Sequence, residues 1–230
     1  MPTRFLALFA VLWTLAFGFV PASAAERTIT VTGEGQVAAA PDLATVRLGV
    51  AVRADSARAA VTGMSDAMQQ VMDAVTAAGI ADTDVQTEGL NLGTVYAPRP
   101  EEGPPPAPEF EARTIVALKS HDIAGLGGLL DTLVSSGANE LQGVTFGLTD
   151  PKSAEDDARR DAVADALAKA KLYAEAAGVT LGAVISITEN GAAPGPVVMM
   201  RAAAAGSGVP IAEGLVAVTE RVTVVLALGD

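Results

Sequence analysis

Few residues in this 230-residue chain have types and spacings that could do chemistry. They are the glycines of Gly33-Glu34-Gly35, the single histidine His121, the acids Glu155, Asp156, Asp157, Asp161 and Asp165, and the in-line methionines Met64 and Met68. A glycine pair around an acid raises a phosphate loop, whose glycines lie between a strand and a helix so that free N–H groups face the anion. Here they lie inside the alternating run ITVTGEGQV at 29–37, and Pro41 and a second alternating run follow. There is no third glycine and no following Lys-Ser/Thr, so nucleotide binding is set aside. His121 has no cysteine to pair with and no G-x-S-x-G elbow to serve, and reads as a loop or capping residue. Asp157, Asp161 and Asp165 share a helix face, as a metal site would require. Arg159, Arg160 and Lys169 interleave with them, which favours a solvated helix surface. Met at helical spacing reads as core filler rather than as a copper or oxidation site. A carboxylate pair for glycoside chemistry needs two acids across a cleft, and no pair stands out. No catalytic, cofactor-binding or metal-ligating residue is assigned, and no cofactor is expected.

The elements that carry these residues begin after a leader. Arg4 supplies positive charge, Phe5 to Val20 is apolar and uncharged, and Pro21-Ala22-Ser23-Ala24 ends the run with small residues. That layout is a secretory signal peptide over 1–24, cut after Ala24 or Ala25. The apolar run is shorter than the ~20 residues of a spanning helix. Cleavage leaves residues 25–230 with four aromatics, Tyr96, Phe110, Phe146 and Tyr173. It also removes one arginine and no acid, so the formal net charge of −12 becomes more negative by one. Such an acidic chain is a poor partner for nucleic acid or anionic lipid, both of which select Lys and Arg. Without cysteine, no disulfide supports the fold and no N-terminal cysteine can carry a lipid. No later segment is apolar enough to span a membrane as a helix, and four aromatics with three long helical segments do not suit an outer-membrane barrel.

Period-two alternation predicts strands at 28–37 and 44–52, joined at Pro41-Asp42 as a hairpin. A helix capped by Asp55 or Ser56 carries Ala57, Val61, Met64, Met68, Val71, Val75 and Ala78 on one stripe and stops at Gly79. Val85 to Val95 is a strand with a bulge near Gly89. The run at 97–108 has six prolines in twelve residues and is an exposed loop. A strand at 111–119 follows, then a short helix capped by Asp122 and ended by Gly137, whose glycines Gly125, Gly127 and Gly128 allow a close approach to a sheet. A strand at 141–148 precedes the helix start Asp150-Pro151. That helix runs to about Ala177, with Ala154, Ala158, Val163, Leu167, Ala170, Ala174 and Ala177 facing a sheet, and stops at Gly178. After a strand at 179–189, the long segment 190–214 is functional or mobile. In the closing strand at 215–228, Val216, Val218, Val222, Val224, Leu226 and Leu228 share a face broken only by Glu220. The order ββαββαβαββ is α+β, helices on antiparallel sheets, with lobes drawn at 26–84 plus 179–230 and at 85–178. The paired glycines sit on the face of Val31 and Val37, a flat strip where another element can approach closely.

The chain resembles the SIMPL-domain family of bacterial periplasmic proteins, which includes the periplasmic immunogenic protein and the oxidative-stress-defence proteins. The likeness opens with ITVTGEGQV at 29–37 and PDLATVRLGV at 41–50. It continues in order through Gly79-Ile80, Asp84-Val85-Gln86-Thr87, Leu126-Gly127, Leu129-Leu130-Asp131, Gly137-Ala138-Asn139 and Gly143-Val144-Thr145-Phe146. Ala158-Arg159, Asp161-Ala162-Val163, Lys169-Ala170, Ala176-Ala177-Gly178-Val179, Leu181-Gly182 and Pro210-Ile211 complete it. It spans nearly all of residues 25–230, and the ordered set carries it rather than any one motif. The chain departs at Phe110-Glu111-Ala112-Arg113, where the family often has a Gly-Tyr-x-Ala-Ser/Thr-Asn-like start, and in the proline-rich insert before it. The resemblance implies a two-lobed α+β fold, a periplasmic location, ring-like oligomers in some members, and links to envelope and oxidative stress. It supplies no catalytic residues. The expected function is a non-enzymatic homo-oligomeric scaffold or interaction protein of the periplasm, with envelope proteins or peptides as further partners. The alternatives are a small-ligand or peptide binder using 190–214 as a lid, and a carboxylate-dependent hydrolase.

Overall fold

The computed structural model describes residues 26–96, 107–190, 197–199 and 211–230. The predicted signal peptide, nearly all of the proline-rich run at 97–108 and most of the 190–214 segment lie outside the described residues. Eight strands and three helices are formed: β1 (Thr28–Ala39), β2 (Leu43–Ala54), α1 (Ala57–Ala77), β3 (Val85–Val95), β4 (Glu109–Ser120), α2 (Leu126–Ser135), β5 (Glu140–Gly147), α3 (Lys152–Ala177), β6 (Thr180–Glu189), β7 (Val197–Met199) and β8 (Leu215–Gly229). The class is α+β with two antiparallel sheets, as the alternation and the helical stripes predict. Local signals placed most ends. Ser56 caps α1 by accepting from the Ala59 N–H at 3.3 Å, and Asp150 accepts from the Lys152 N–H at 3.0 Å at the start of α3. Gly79 and Gly178 stop α1 and α3 at φ of +79° and +69°. The register of β3 against β4 slips between Thr87 and Gly89, as the phase change predicts.

The pairing differs from the sequence expectation in one important respect. β1 and β2 do not form a hairpin. β1 pairs along its whole length with β8, and β2 lies between β4 and β5. The Pro41-Asp42 turn redirects the chain into a second sheet, and a turn signal carries no information about which strand is the partner. One sheet has the order β1-β8-β6 with β7 beside β8, and α3 lies on it; the other has the order β3-β4-β2-β5 beneath α1 and α2. Sheet membership thus cuts across the lobe limits drawn from sequence. β2 and α1 belong with the central segment, while α3 lies on the sheet of the terminal strands.

Each unit has its own core. Val46, Leu48, Val50, Met64, Val71, Val75, Val116, Leu118, Leu126, Leu130 and Leu133 fill the central unit. Met64 is buried there and Met68 packs against the same cluster, so both are core side chains. Val31, Ala162, Ala166, Ala170, Val222, Val224 and Leu226 fill the terminal one. On α1, Ala60 is buried while Val61 is exposed, a shift of the stripe by one position. Gly128 has open space around it, so it does not serve a close approach. Gly125 lies instead against the carboxylate of Asp122, which accepts the Gly125 N–H at 2.9 Å. A short strand, β7, lies inside the segment expected to be loop.

Candidate functional site

The paired glycines face α3. A Cβ on Gly33 would overlap the carbonyl oxygen of Ala162 and lie 2.6 Å from the Ala166 nitrogen; one on Gly35 would overlap the carbonyl oxygen of Ala158. Helix backbone therefore rests directly on strand backbone. Only small residues can line the helix side of such a contact, and Ala158, Ala162, Ala166, Ala170 and Ala174 form a buried row four residues apart. This corrects the predicted stripe: Leu167 and Ala177 are exposed and Val163 is half-buried, because bulkier side chains are forced to the flanks.

The same helix closes the free edge of β1. The Glu34 N–H, which points away from β8, donates to Asp165 Oδ2 at 2.9 Å, and Lys169 Nζ donates to the Thr32 carbonyl at 3.2 Å and to Asp165 at 2.6 Å. Asp165 was read from sequence as part of a solvated face; it instead satisfies strand backbone. The Lys169 ammonium, and then the Glu34 N–H, hold its carboxyl below the usual carboxylate range. Asp157 keeps to the solvated reading and pairs with Arg160, and Asp161 is exposed. Arg221 on β8 pairs with Glu34 across the strands at 3.2 Å.

The densest polar cluster is one that sequence reasoning missed. Glu220 sits opposite Gly35 on the helix-facing side of β8 and is 2% exposed. Its Oε1 lies 3.4 Å from Arg159 Nη2, and its Oε2 has no hydrogen-bond partner among the described residues. Arg159 also meets Glu189 of β6 at 3.0 Å, Asp156 at 3.0 Å and Glu155 at 3.5 Å. Glu189, and then the other carboxylates, push its pKa above the usual guanidinium value. One always-charged fork therefore pins α3, β6 and β8 together. The cluster contains no nucleophile with an adjacent base. Among the described residues, no group of three or more His, Cys, Asp or Glu side chains is arranged to hold a metal ion. The available signal was Glu220 in phase with buried valines: a buried charge needs a partner, and α3 supplies it. His121 is exposed at the end of β4, its Nδ1 3.2 Å from Thr149 Oγ1.

Among the described residues, nothing pairs with the opposite edge of the same sheet. α3 packs on β1 and β8 and barely reaches β6. Val184, Ile185 and Ile187 on β6 are 45%, 50% and 54% exposed.

The SIMPL family profile, described as "Protein of unknown function (DUF541)", matches residues 29–226. This chain belongs to the SIMPL family. It is 37% identical over 196 residues to the 26 kDa periplasmic immunogenic protein of Brucella melitensis, covering 81% of this chain and 78% of that protein. The Brucella abortus protein of the same name is likewise 37% identical over 196 residues. The uncharacterized protein YggE of Escherichia coli K12 is 28% identical over 180 residues, 77% of this chain and 72% of its own length. The matched residues take in the glycine strip, the Arg159 cluster and β6. No helix among the described residues is long and apolar enough to cross a membrane.

Proposed function

We propose that this SIMPL-family protein is exported to the periplasm and acts there without catalysis, as a self-associating scaffold for the envelope under stress. The observation that carries the reading is β6, an edge strand with three half-exposed aliphatic side chains that α3 barely reaches and that no other described helix covers. From Thr180 to Thr188 it bears no charge, in a chain whose formal net charge is −12. Two copies of so acidic a protein repel over most of their surface, and an uncharged edge is where they can meet. Unpaired strand edges are templates for pairing. The leader and the relatives named periplasmic support export. The gathering of Glu155, Asp156, Glu189 and Glu220 around the Arg159 guanidinium, rather than their placement across a cleft, favours a non-enzymatic role.

Size-exclusion chromatography with light scattering on the exported form tests self-association. An oligomer is expected, and a strict monomer at micromolar concentration overturns the scaffold. Native mass spectrometry of the same material reports the cleavage position, with the mass of residues 25–230 or 26–230 expected. The stress role rests on the family resemblance. Loss of the protein should increase sensitivity to peroxide or envelope-damaging agents, and unchanged survival removes that part.

A further inference from the structure

The two units share almost nothing. Their apolar clusters have no residue in common. Among the described residues, no strand or helix of one packs extensively on an element of the other. The ion pairs among the described residues each close within a single unit. Of the side-chain hydrogen bonds between distant described residues, two reach the linkers between the units, and they meet at one residue. The Thr149 N–H donates to Asp42 Oδ1 at 2.6 Å, and Thr149 Oγ1 lies 3.2 Å from His121 Nδ1. The Asp42 N–H in turn donates to the Gly147 carbonyl at 3.2 Å.

Asp42 stands in the crossing from β1 to β2, and Thr149 in the crossing from β5 to α3. Both crossings are thus bound side by side at the end of β4 where His121 lies. Asp150, one residue beyond Thr149, accepts from the N–H of Lys152, the first residue of α3, so the clamp lies within three residues of the start of that helix. β7 and β8 both belong to the terminal sheet, and Gly214 just before β8 has φ of +62°, a backbone position that suits glycine. Just before it, Ile211 packs against the central core. Units joined by short crossings without a large apolar interface are free to move relative to one another.

We propose that the terminal and central units are rigid bodies hinged at this point, with Asp42, Thr149 and His121 forming a polar clamp that fixes their angle and Gly214 serving as a swivel between the Ile211 contact and β8. Hinges of this kind place large backbone changes in a few residues between elements while the packed bodies stay intact. The clamp carries no charge pair and has little apolar cover, so it opens at lower cost than either core.

The chain has no cysteine, which makes site-directed spin labels simple to place. Ser65→Cys on α1 with Ala176→Cys on α3 reports the angle between units by electron–electron double resonance. Ser65→Cys with Asp131→Cys, and Thr30→Cys with Ala176→Cys, report each unit alone. Asp42→Ala and Thr149→Val should broaden the inter-unit distance distribution about twofold and leave both internal distributions unchanged. Asp42→Asn keeps the acceptor oxygen and should keep the native width. An inter-unit distribution unmoved by both disrupting substitutions overturns the hinge. The unsubstituted protein gives a second test. Native-state hydrogen exchange across a denaturant series should give the Val116 and Leu118 amides of one core and the Val224 and Leu226 amides of the other separate opening transitions. One shared transition for all four overturns the division into independent bodies.

Discussion

β1 and β6 are the two edges of one sheet, both pairing with β8, and they are treated in opposite ways. β1 is covered at backbone contact distance by α3, and the outward polar groups of Thr32 and Glu34 are taken up by Lys169 and Asp165. β6 carries aliphatic side chains into solvent, uncharged until Glu189, and α3 barely reaches it. A single helix cannot cover a row of three strands. The glycines draw it to one side, and among the described residues the other side keeps its aliphatic side chains exposed.

The largest effect that would break this contrast is at the glycine strip. Gly33→Val or Gly35→Val forces helix and strand apart and should cost about 3 kcal/mol or more, enough to melt the terminal unit, as seen in denaturant unfolding followed by circular dichroism. Gly89→Ala, which meets nothing within 4 Å, should stay within about 0.5 kcal/mol. Equal effects at Gly33 and Gly89 would mean that the contact is not what fixes α3.

Next comes the pin that joins the covered and uncovered strands. Arg159→Met leaves Glu220 buried without a counter-charge and should lower the melting temperature markedly. Adding Glu220→Gln to Arg159→Met should recover most of the loss, since the amide no longer carries the charge. Additive losses in the double mutant would show that the two side chains are not coupled.

A smaller effect is expected at the edge of β1. The Asp165 carboxyl titrates below its usual 3.8 in the folded chain because of the Lys169 ammonium and the Glu34 N–H. A depressed folded value means that its stabilisation is complete above the unfolded carboxylate range and is lost as pH falls through the folded value. Asp165→Asn should therefore be less stable than the native chain at pH 7, with the gap closing below about pH 4. A gap that is constant with pH would assign the effect to packing.

The smallest effect on stability, and the sharpest on association, belongs to β6. Ile187→Lys or Val184→Lys should change folding free energy by no more than about 0.5 kcal/mol while shifting an oligomer toward monomer in light scattering. An oligomer that persists in both variants moves the interface away from this edge.

Much of this was legible because the signals are local. Ser56, Gly79, Asp150 and Gly178 act within one turn, and the phase slip at Gly89 is written in the strand itself. The glycine strip was also legible as a surface of close approach, because the strand period puts Gly33 and Gly35 in line with Val31 and Val37. Glu220 was visible as an anomaly without a solution, since its partner lies on a helix some sixty residues earlier in the chain. Arg159 and Asp165 were read as solvated because charge interleaving along a helix cannot show which charges turn toward a strand.

The sequence by itself determined an acidic, cysteine-free α+β chain of alternating strands and three helices, because period, capping and composition depend only on near neighbours. Tertiary structure alone decided that β1 abandons β2 for β8, that the lobes interleave along the chain, and that α3 covers one edge of its sheet and bares the other. Those outcomes turn on which apolar faces meet across more than a hundred residues, and on helix and strand backbones fitting together where two side chains are missing.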